Sequence, residues 1–164
     1  MPVRLLTPTD LDRVLAINDS GVPGVGPIES AALGHLVGES SIALVATVDD
    51  DNAAGEVVAG FCLVLSPGAD YGSVNYRWFC ERYDDFVYLD RVAIAPGFQG
   101  RGLGRALYDE VERRAAAPWF VLEVNLRPRN DGSLAFHDRL GFVEVGQQET
   151  DYGHLVSLMA KPLR

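Results

Sequence analysis

The sequence predicts an α+β sandwich built on one mixed sheet. Three observations predict it. Short β-rich runs and helix-periodic runs follow one another along the whole chain. Two adjacent pairs of such runs, 41–48 with 56–65 and 142–146 with 154–160, carry the marks of antiparallel pairing. And 164 residues, 48% apolar and 23% charged, suit one compact domain spanning 1–164, with no repeat or low-complexity linker to divide it.

The elements follow in order. Val3–Leu6 reads as a short first strand. Thr7-Pro-Thr-Asp10 reads as a helix start, with Thr9 the N-cap of a helix to about Asn18. Asp19–Pro27 is dense in Pro and Gly and must be a loop; a second helix covers about Ile28–Val37. Ser41–Val48 and Glu56–Leu65 are strands joined by a hairpin signal, Asp49–Gly55. Ser66–Asp85 reads as a long loop rich in aromatics, which either packs on the sheet or lines a substrate. Phe86–Ile94 is strand-like. Gly102–Ala117 has helical spacing, with Leu103, Leu107 and Val111 on one stripe, and Pro118 closes it. Trp119–Asn125 is another strand, and Ser133–Leu140 a short helix followed by Gly141 as its C′ residue. Phe142–Gly146 and His154–Ala160 complete the sheet as an antiparallel pair.

Composition excludes several classes. Lys+Arg number 14 against 23 Asp+Glu, for a net charge of −9. Residues 1–80 hold 10 acidic and 3 basic residues, and 81–164 hold 13 and 11, so neither half has the basic excess of a nucleic-acid binder. No apolar run approaches the ~20 residues of a membrane span, and the N-terminus lacks the features of a signal peptide. A soluble cytoplasmic protein is expected. Two cysteines, Cys62 and Cys80, are too few for a disulfide framework or a zinc site, and no metal is expected.

The chemistry concentrates in Leu89–Leu107. A strand runs into a turn where Gly100, Gly102 and Gly104 alternate, and a helix begins at once. Glycines let several backbone N–H groups face one concave space without Cβ interference. The helix N-terminus adds roughly half a positive charge there. Such a turn is an anion cradle suited to a pyrophosphate, with Arg101 and Arg105 at its lip. The dinucleotide pattern G-x-G-x-x-G breaks at Arg105, and the P-loop pattern is absent. A purely structural glycine turn stays open.

Gln99-Gly-Arg-Gly-Leu-Gly104 resembles the Q/R-x-x-G-x-G/A signature of the GNAT superfamily of acyl-CoA-dependent N-acetyltransferases. Val92-Ala-Ile94 followed by Pro96 is similar to the end of that family's fourth strand. Asn130 and Ala135-Phe-His-Asp-Arg-Leu-Gly-Phe142 resemble its second signature. The resemblance covers about 86–142. The resemblance implies an α/β/α sandwich whose central, mostly antiparallel sheet is splayed between the fourth and fifth strands, here ending near Ile94 and Val124. It implies acetyl-CoA as co-substrate. The amides of Gln99, Gly100, Arg101, Gly102, Leu103 and Gly104, with Arg105, would bind its pyrophosphate. The backbone of Val92, Ala93 and Ile94 would pair with the pantetheine arm, and Asn130 would touch the cofactor near it. The resemblance departs at one place. The family's tyrosine, which protonates the leaving thiolate, is replaced here by His137. An imidazole N–H is a candidate donor in its place, against the alternative of a locally packed histidine.

For the base that deprotonates an amine, Asp90 is the leading candidate and Glu123 the second, either of which an arginine could instead occupy. His35 and His154 read as structural or surface groups, Cys62 as core, and Cys80 as unactivated. The expected reaction moves an acetyl group from acetyl-CoA to a primary amine of a small molecule or peptide, directly, in a ternary complex. Tyr76, Trp78 and Tyr83 are the candidate acceptor lining. The acidic first half favours a cationic acceptor. A homodimer is left open; nucleic acid and membrane are not expected partners. Two other classes stand beside this one: a non-catalytic acyl-CoA-binding module and, further off, a dinucleotide-dependent oxidoreductase.

Overall fold

The structure, a computed structural model, describes residues 2–52 and 55–163. Its elements are β1 (Val3–Leu5), α1 (Leu11–Gly21), α2 (Ser30–Glu39), β2 (Ile42–Asp50), β3 (Gly55–Leu65), α3 (Val74–Cys80), β4 (Val87–Ile94), α4 (Leu103–Arg114), β5 (Trp119–Arg127), α5 (Asp131–Leu140), β6 (Val143–Glu149) and β7 (Leu155–Pro162). The strands lie in the order β1-β2-β3-β4-β5-β7-β6. Pairs β1-β2, β2-β3, β5-β7 and β6-β7 are antiparallel, and β4-β5 is parallel. This is the mixed, mostly antiparallel sheet of an α+β fold. The parallel pair is short, Val87↔Phe120 and Tyr88↔Val121, and marks the splay.

The chain forms two compact units, residues 1–65 with 90–115 and residues 66–89 with 116–164. In the first, β2 and β3 are apolar almost without interruption, since Leu44, Val45 and Ala46 and then Phe61–Leu65 are all buried. α1 and α2 pack on each other and on β3, while α4 packs on β1, β2 and β3. α4 buries Leu103, Leu107, Tyr108 and Val111 and turns Arg105, Asp109 and Arg113 outward. Twelve residues make a marginal helix alone, so that buried stripe, at roughly 1.5–3 kcal/mol per large side chain, is what holds it.

In the second unit β5 and β7 form a long antiparallel ladder flanked by β6. Its core is aromatic: Tyr76, Phe79, Phe86 and Tyr88 meet at ring separations of 5.5–6.2 Å. Phe120, Phe142 and His137 form a second group.

Several boundaries differ from the sequence reading. The stretch 66–85 is not a loop throughout, because α3 forms within it. Ser73 caps that helix by accepting from Tyr76 N, and Tyr76, Phe79 and Tyr83 recur at helical spacing to reach the core. Thr7, not Thr9, opens the first helical segment; the Asp10 carboxylate accepts from Thr7 N and Oγ1 at 2.8 and 3.1 Å. α1 runs through Gly21, since no proline intervenes before Pro23 and Ser20 Oγ donates to Ile17 O. α2 lies two residues later than expected at each end, and α4 ends at Arg114, ahead of Pro118. Within the 49–55 hairpin, Ala53 and Ala54 lie outside the described residues.

Arg4 ties β1 to this first segment. Its guanidinium grips both Asp10 oxygens, at 2.8 and 3.0 Å, and also reaches Glu56 on β3 at 2.8 Å. Chiefly through that Arg4 contact, the buried Asp10 carboxyl is lowered to about 2. A carboxylate held below its unfolded value adds stability above that value and loses it as pH falls through the folded one. With Arg4 partly solvated, the contribution is on the order of 1–2 kcal/mol. Asp10→Asn should therefore lower the unfolding midpoint at pH 7, and the gap from wild type should close between pH 4 and pH 2. A gap that persists at pH 2 would assign the loss to packing instead.

Candidate active site

The glycine turn lies in the first unit. β4 ends at Ile94, Phe98 N donates to Ala95 O across a tight turn, and α4 starts at Leu103. Gly100 and Gly102 have φ of +76° and +79°, a left-handed backbone that side chains disfavour. Gly102 is the N-cap, and the first helical bond runs from Ala106 N to Gly102 O at 3.0 Å. The amides of Leu103, Gly104 and Arg105 thus have no partner within the helix. A Cβ placed on Gly100, Gly102 or Gly104 would meet nothing within 4 Å. The turn thus sets open space beside helix-terminal backbone donors, an arrangement that suits a phosphate. Arg101 and Arg105 are both exposed. Arg101 lies over Phe98 and donates to Gly97 O, and Arg105 sits 3.9 Å from Asp109. Gln99 is exposed too, its Nε2 reaching Ile94 O at 3.4 Å.

The strand end feeding this turn is pinned by β3. Ala46 pairs with Gly60 and Thr47 with Val58, so Ala59 is the extra residue of a bulge. Its carbonyl accepts from Ala95 N at 2.7 Å. A Cβ on Gly60 would lie 2.6 Å from Ile94 Cδ1 and 3.1 Å from Ala93 O, so only glycine admits β4 this closely. Val92, Ala93 and Ile94 are half-buried on that strand end.

Asp90 on the same strand is nearly buried and lies 3.4 Å from Arg91 Nε. Arg91 in turn donates to Asn18 Oδ1 and Gly26 O, at 3.0 and 2.6 Å, and so ties β4 to the end of α1 and the segment after it. The structure thus pairs Asp90 with a guanidinium, the alternative left open for it.

The second unit contains a different carboxylate setting. Tyr88 Oη donates to Glu123, lying 2.6 Å from Oε1 and 2.9 Å from Oε2, and Asn75 Nδ2 donates to Oε1 at 3.1 Å. Asn75 also donates to Tyr152 Oη at 3.0 Å and accepts from Gln148 Nε2 at 3.1 Å. Burial raises the Tyr152 phenol above its ordinary value; the Asn75 hydrogen bond opposes that rise and the Glu123 charge adds to it. Asn75, Gln148 and Tyr152 were not found by sequence reasoning. The only signal for Asn75 was the Ser73 cap, which fixes where α3 starts.

The remaining candidates are placed as follows. His137 is buried between Phe136 and Phe142, and its Nδ1 lies 2.7 Å from Ser133 O. A carbonyl only accepts, so Nδ1 carries the proton and Nε2 of the neutral ring is an acceptor. Burial lowers the imidazole below 6.5, the Ser133 contact opposing it. Asn130 caps α5, its Oδ1 accepting from Ser133 N at 3.1 Å. Tyr76 is a core residue whose hydroxyl donates to Ser66 O and accepts from Ala69 N. Trp78 packs its ring against Gly146, with Arg82 stacked 4.1 Å from its centroid. Tyr83 lies between Phe79 and Trp119. Cys62 is buried, its thiol pushed up to about 12, and Cys80 is exposed. Among the described residues no cluster of three or more His, Cys, Asp or Glu could hold a metal ion, and no helix is long and apolar enough to cross a membrane.

A strand end pinned at a bulge, a glycine turn with two left-handed residues and a helix N-terminus frame the candidate site. Residues 28–142 match the profile of the acetyltransferase (GNAT) family, and the chain belongs to that family. Solved structures share the fold. The ribosomal-protein-S18-alanine N-acetyltransferase of Escherichia coli is 23% identical, with a TM-score of 0.71 over 99% of this chain and 93% of that one. Ard1 of Thermoplasma volcanium is 20% identical, with a TM-score of 0.74 over 98% and 96%. Arabidopsis thaliana NAA60, in complex with acetyl-CoA, is 17% identical, with a TM-score of 0.74 over 98% and 97%. A search of curated protein sequences finds no match to the chain.

The histidine makes a prediction. A group whose folded value lies below its unfolded 6.5 binds fewer protons in the native state, so stability falls as pH drops below about 6.5. His137→Phe should flatten the stability profile in that window, read by denaturant melts between pH 7.5 and pH 5. Parallel profiles for the two proteins would overturn the assignment of that titration to His137.

Proposed function

We propose that the protein transfers an acetyl group from acetyl-CoA to a primary amine of a small molecule or peptide, directly, in a ternary complex, with residues 1–164 working as one acetyltransferase domain. The observation that carries this reading is the glycine turn: three helix-terminal amides without an intrahelical partner follow positive-φ glycines, and the Cβ positions of Gly100, Gly102 and Gly104 are open. The amides of Gln99–Gly104 and Arg105 take the pyrophosphate of the co-substrate, as the NAA60 complex with acetyl-CoA supports by analogy of fold. The backbone of Val92, Ala93 and Ile94 takes the extended pantetheine arm as an added strand. An amide N–H there polarises the thioester carbonyl, the preorganised stabilisation that acyl transfer needs most. Asn130 keeps its Nδ2 for the cofactor, since its Oδ1 caps α5.

In the reaction the amine nitrogen bonds to the thioester carbon and the C–S bond breaks. The amine proton goes to a carboxylate, and the thiolate takes a proton from solvent. Between the two candidates, Glu123 is the better base. Its described donors are the neutral groups of Tyr88 and Asn75, whereas Asp90 lies against the Arg91 guanidinium. His137 is not assigned the acid role, because its Nδ1–H is held by Ser133 O. A coenzyme thiol, with a reference pKa of ~8.5, leaves without strong acid help. Of the aromatic candidates for the acceptor lining, Trp78 stays, in a hollow it shares with Gln148, while Tyr76 packs in the core and Tyr83 lies between Phe79 and Trp119.

Acetyl-CoA at ~100 times its Kd should add ~2.7 kcal/mol of native stability, seen as a saturable rise in melting temperature that NAD does not produce. Gly104→Glu is the discriminating variant. Gly104 lies inside α4 and carries no positive φ, so the substitution costs the fold little while placing a charged side chain in the cradle. It should melt near wild type and lose the acetyl-CoA response. An unaltered response would remove the turn as the cofactor site. Binding without thiol release from any amine in a screen would identify a non-catalytic binding module.

A further inference from the structure

α3 contributes more to the second unit than its aromatic side chains. Asn75 is 1% exposed, and all its amide hydrogens are directed. One is donated to Glu123 Oε1 on β5 and the other to Tyr152 Oη in the β6–β7 turn, while its Oδ1 accepts from Gln148 Nε2 on β6. The orientation is unambiguous, because a carboxylate only accepts and so must face Nδ2. A buried asparagine that spends two donors on a carboxylate and a phenol is expensive unless each bond is made. Core packing alone would be served by leucine, which has the same branched heavy-atom skeleton.

We infer that Asn75 is a positioning residue of the transfer reaction: it fixes the Glu123 carboxylate and locks the Tyr152 hydroxyl beside it, so that base and turn tyrosine meet the acceptor amine as one unit. This rests on the reading of Glu123 as base. The Tyr152 hydroxyl accepts from Asn75 and also bonds the Thr150 side chain, so it is held in the turn from two sides. Tyr88 from β4 and Tyr152 from the turn are titratable groups that face Glu123, and Asp151 acts on Tyr152.

The test uses the whole chain with its glutamates labelled at the carboxyl carbon. The Glu123 signal is assigned by its disappearance in Glu123→Gln, and its titration midpoint is compared in wild type, Asn75→Leu and Asn75→Asp. Asn75→Leu keeps the branched heavy-atom skeleton and removes both donors, so the midpoint should rise by about one pH unit. Asn75→Asp keeps the Gln148 contact and sets a second carboxyl beside the first, so the pair should titrate in two steps, the upper one above the wild-type midpoint. In thiol release from acetyl-CoA with an N-terminally free tetrapeptide or spermidine, the acid limb of kcat/KM should move with it, while the KM for acetyl-CoA stays put. A merely structural Asn75 would lower the melting temperature and leave the midpoints where they are in wild type, and that result overturns the proposal. Should Asn75→Leu fail to fold, Asn75→Asp carries the same reading. Glu123→Gln separates the two ideas: unaltered turnover would remove the base itself, whereas lost turnover with unmoved Asn75 midpoints would remove only the positioning role.

Discussion

The site depends on one hydrogen bond and the bulge that makes it. Ala59 is the extra residue in β3, and its carbonyl, turned out of the β2-β3 ladder, accepts from Ala95 N at 2.7 Å. That bond sets where β4 stops being a strand and where the glycine turn begins. Gly60 beside it removes the one Cβ that would push Ile94 and Ala93 away. Everything downstream inherits this placement. The positive-φ glycines can only aim their amides if the strand end that precedes them is fixed, and α4 can only present its N-terminus if its buried stripe docks on β1–β3. A bulge is a local irregularity, yet here it is what fixes the end of β4 against β3.

What was legible in the sequence follows from how local its causes are. The turn could be read because glycine spacing, a helix start and an apolar strand are written within nineteen residues, Leu89–Leu107. The strands could be read from period and composition, and Gly141 from its place after a helix; its φ of +96° is the left-handed C-cap that position requires. The bulge could not, since register is a property of two strands and Ala59 carries no mark of it. α3 was hidden for another reason. Seven residues with Pro and Gly before them look like a loop, and only the packing of Tyr76 and Phe79 makes the helix worth forming.

The catalytic groups were the least legible part. Asp90 and Glu123 look alike in sequence, each a charge within an apolar strand. The difference lies in partners brought from afar: Arg91 next door in one case, Asn75 and Tyr88, 48 and 35 residues away, in the other. His137 shows the same limit. Its motif position suggested a donor, but an imidazole four residues after Ser133 in a helix lies within reach of that backbone carbonyl, and its Nδ1–H is drawn there.

Buried polar groups carry a cost that packing alone does not repay, so their arrangement reports selection for something else. In the second unit Asn75, Glu123, Tyr88, Gln148 and Tyr152 form a connected set drawn from α3, β4, β5, β6 and the β6–β7 turn. A core of phenylalanines around Phe79 and Phe86 would have been simpler to fold. The set is tied bond to bond, and its buried members are the neutral Tyr88 and Asn75, whereas the Glu123 carboxylate is only half-buried. That division suits a base. Tyr88 and Asn75 fix the Glu123 carboxylate through hydrogen bonds from neutral groups, whereas Asp90 lies against the charge of its arginine.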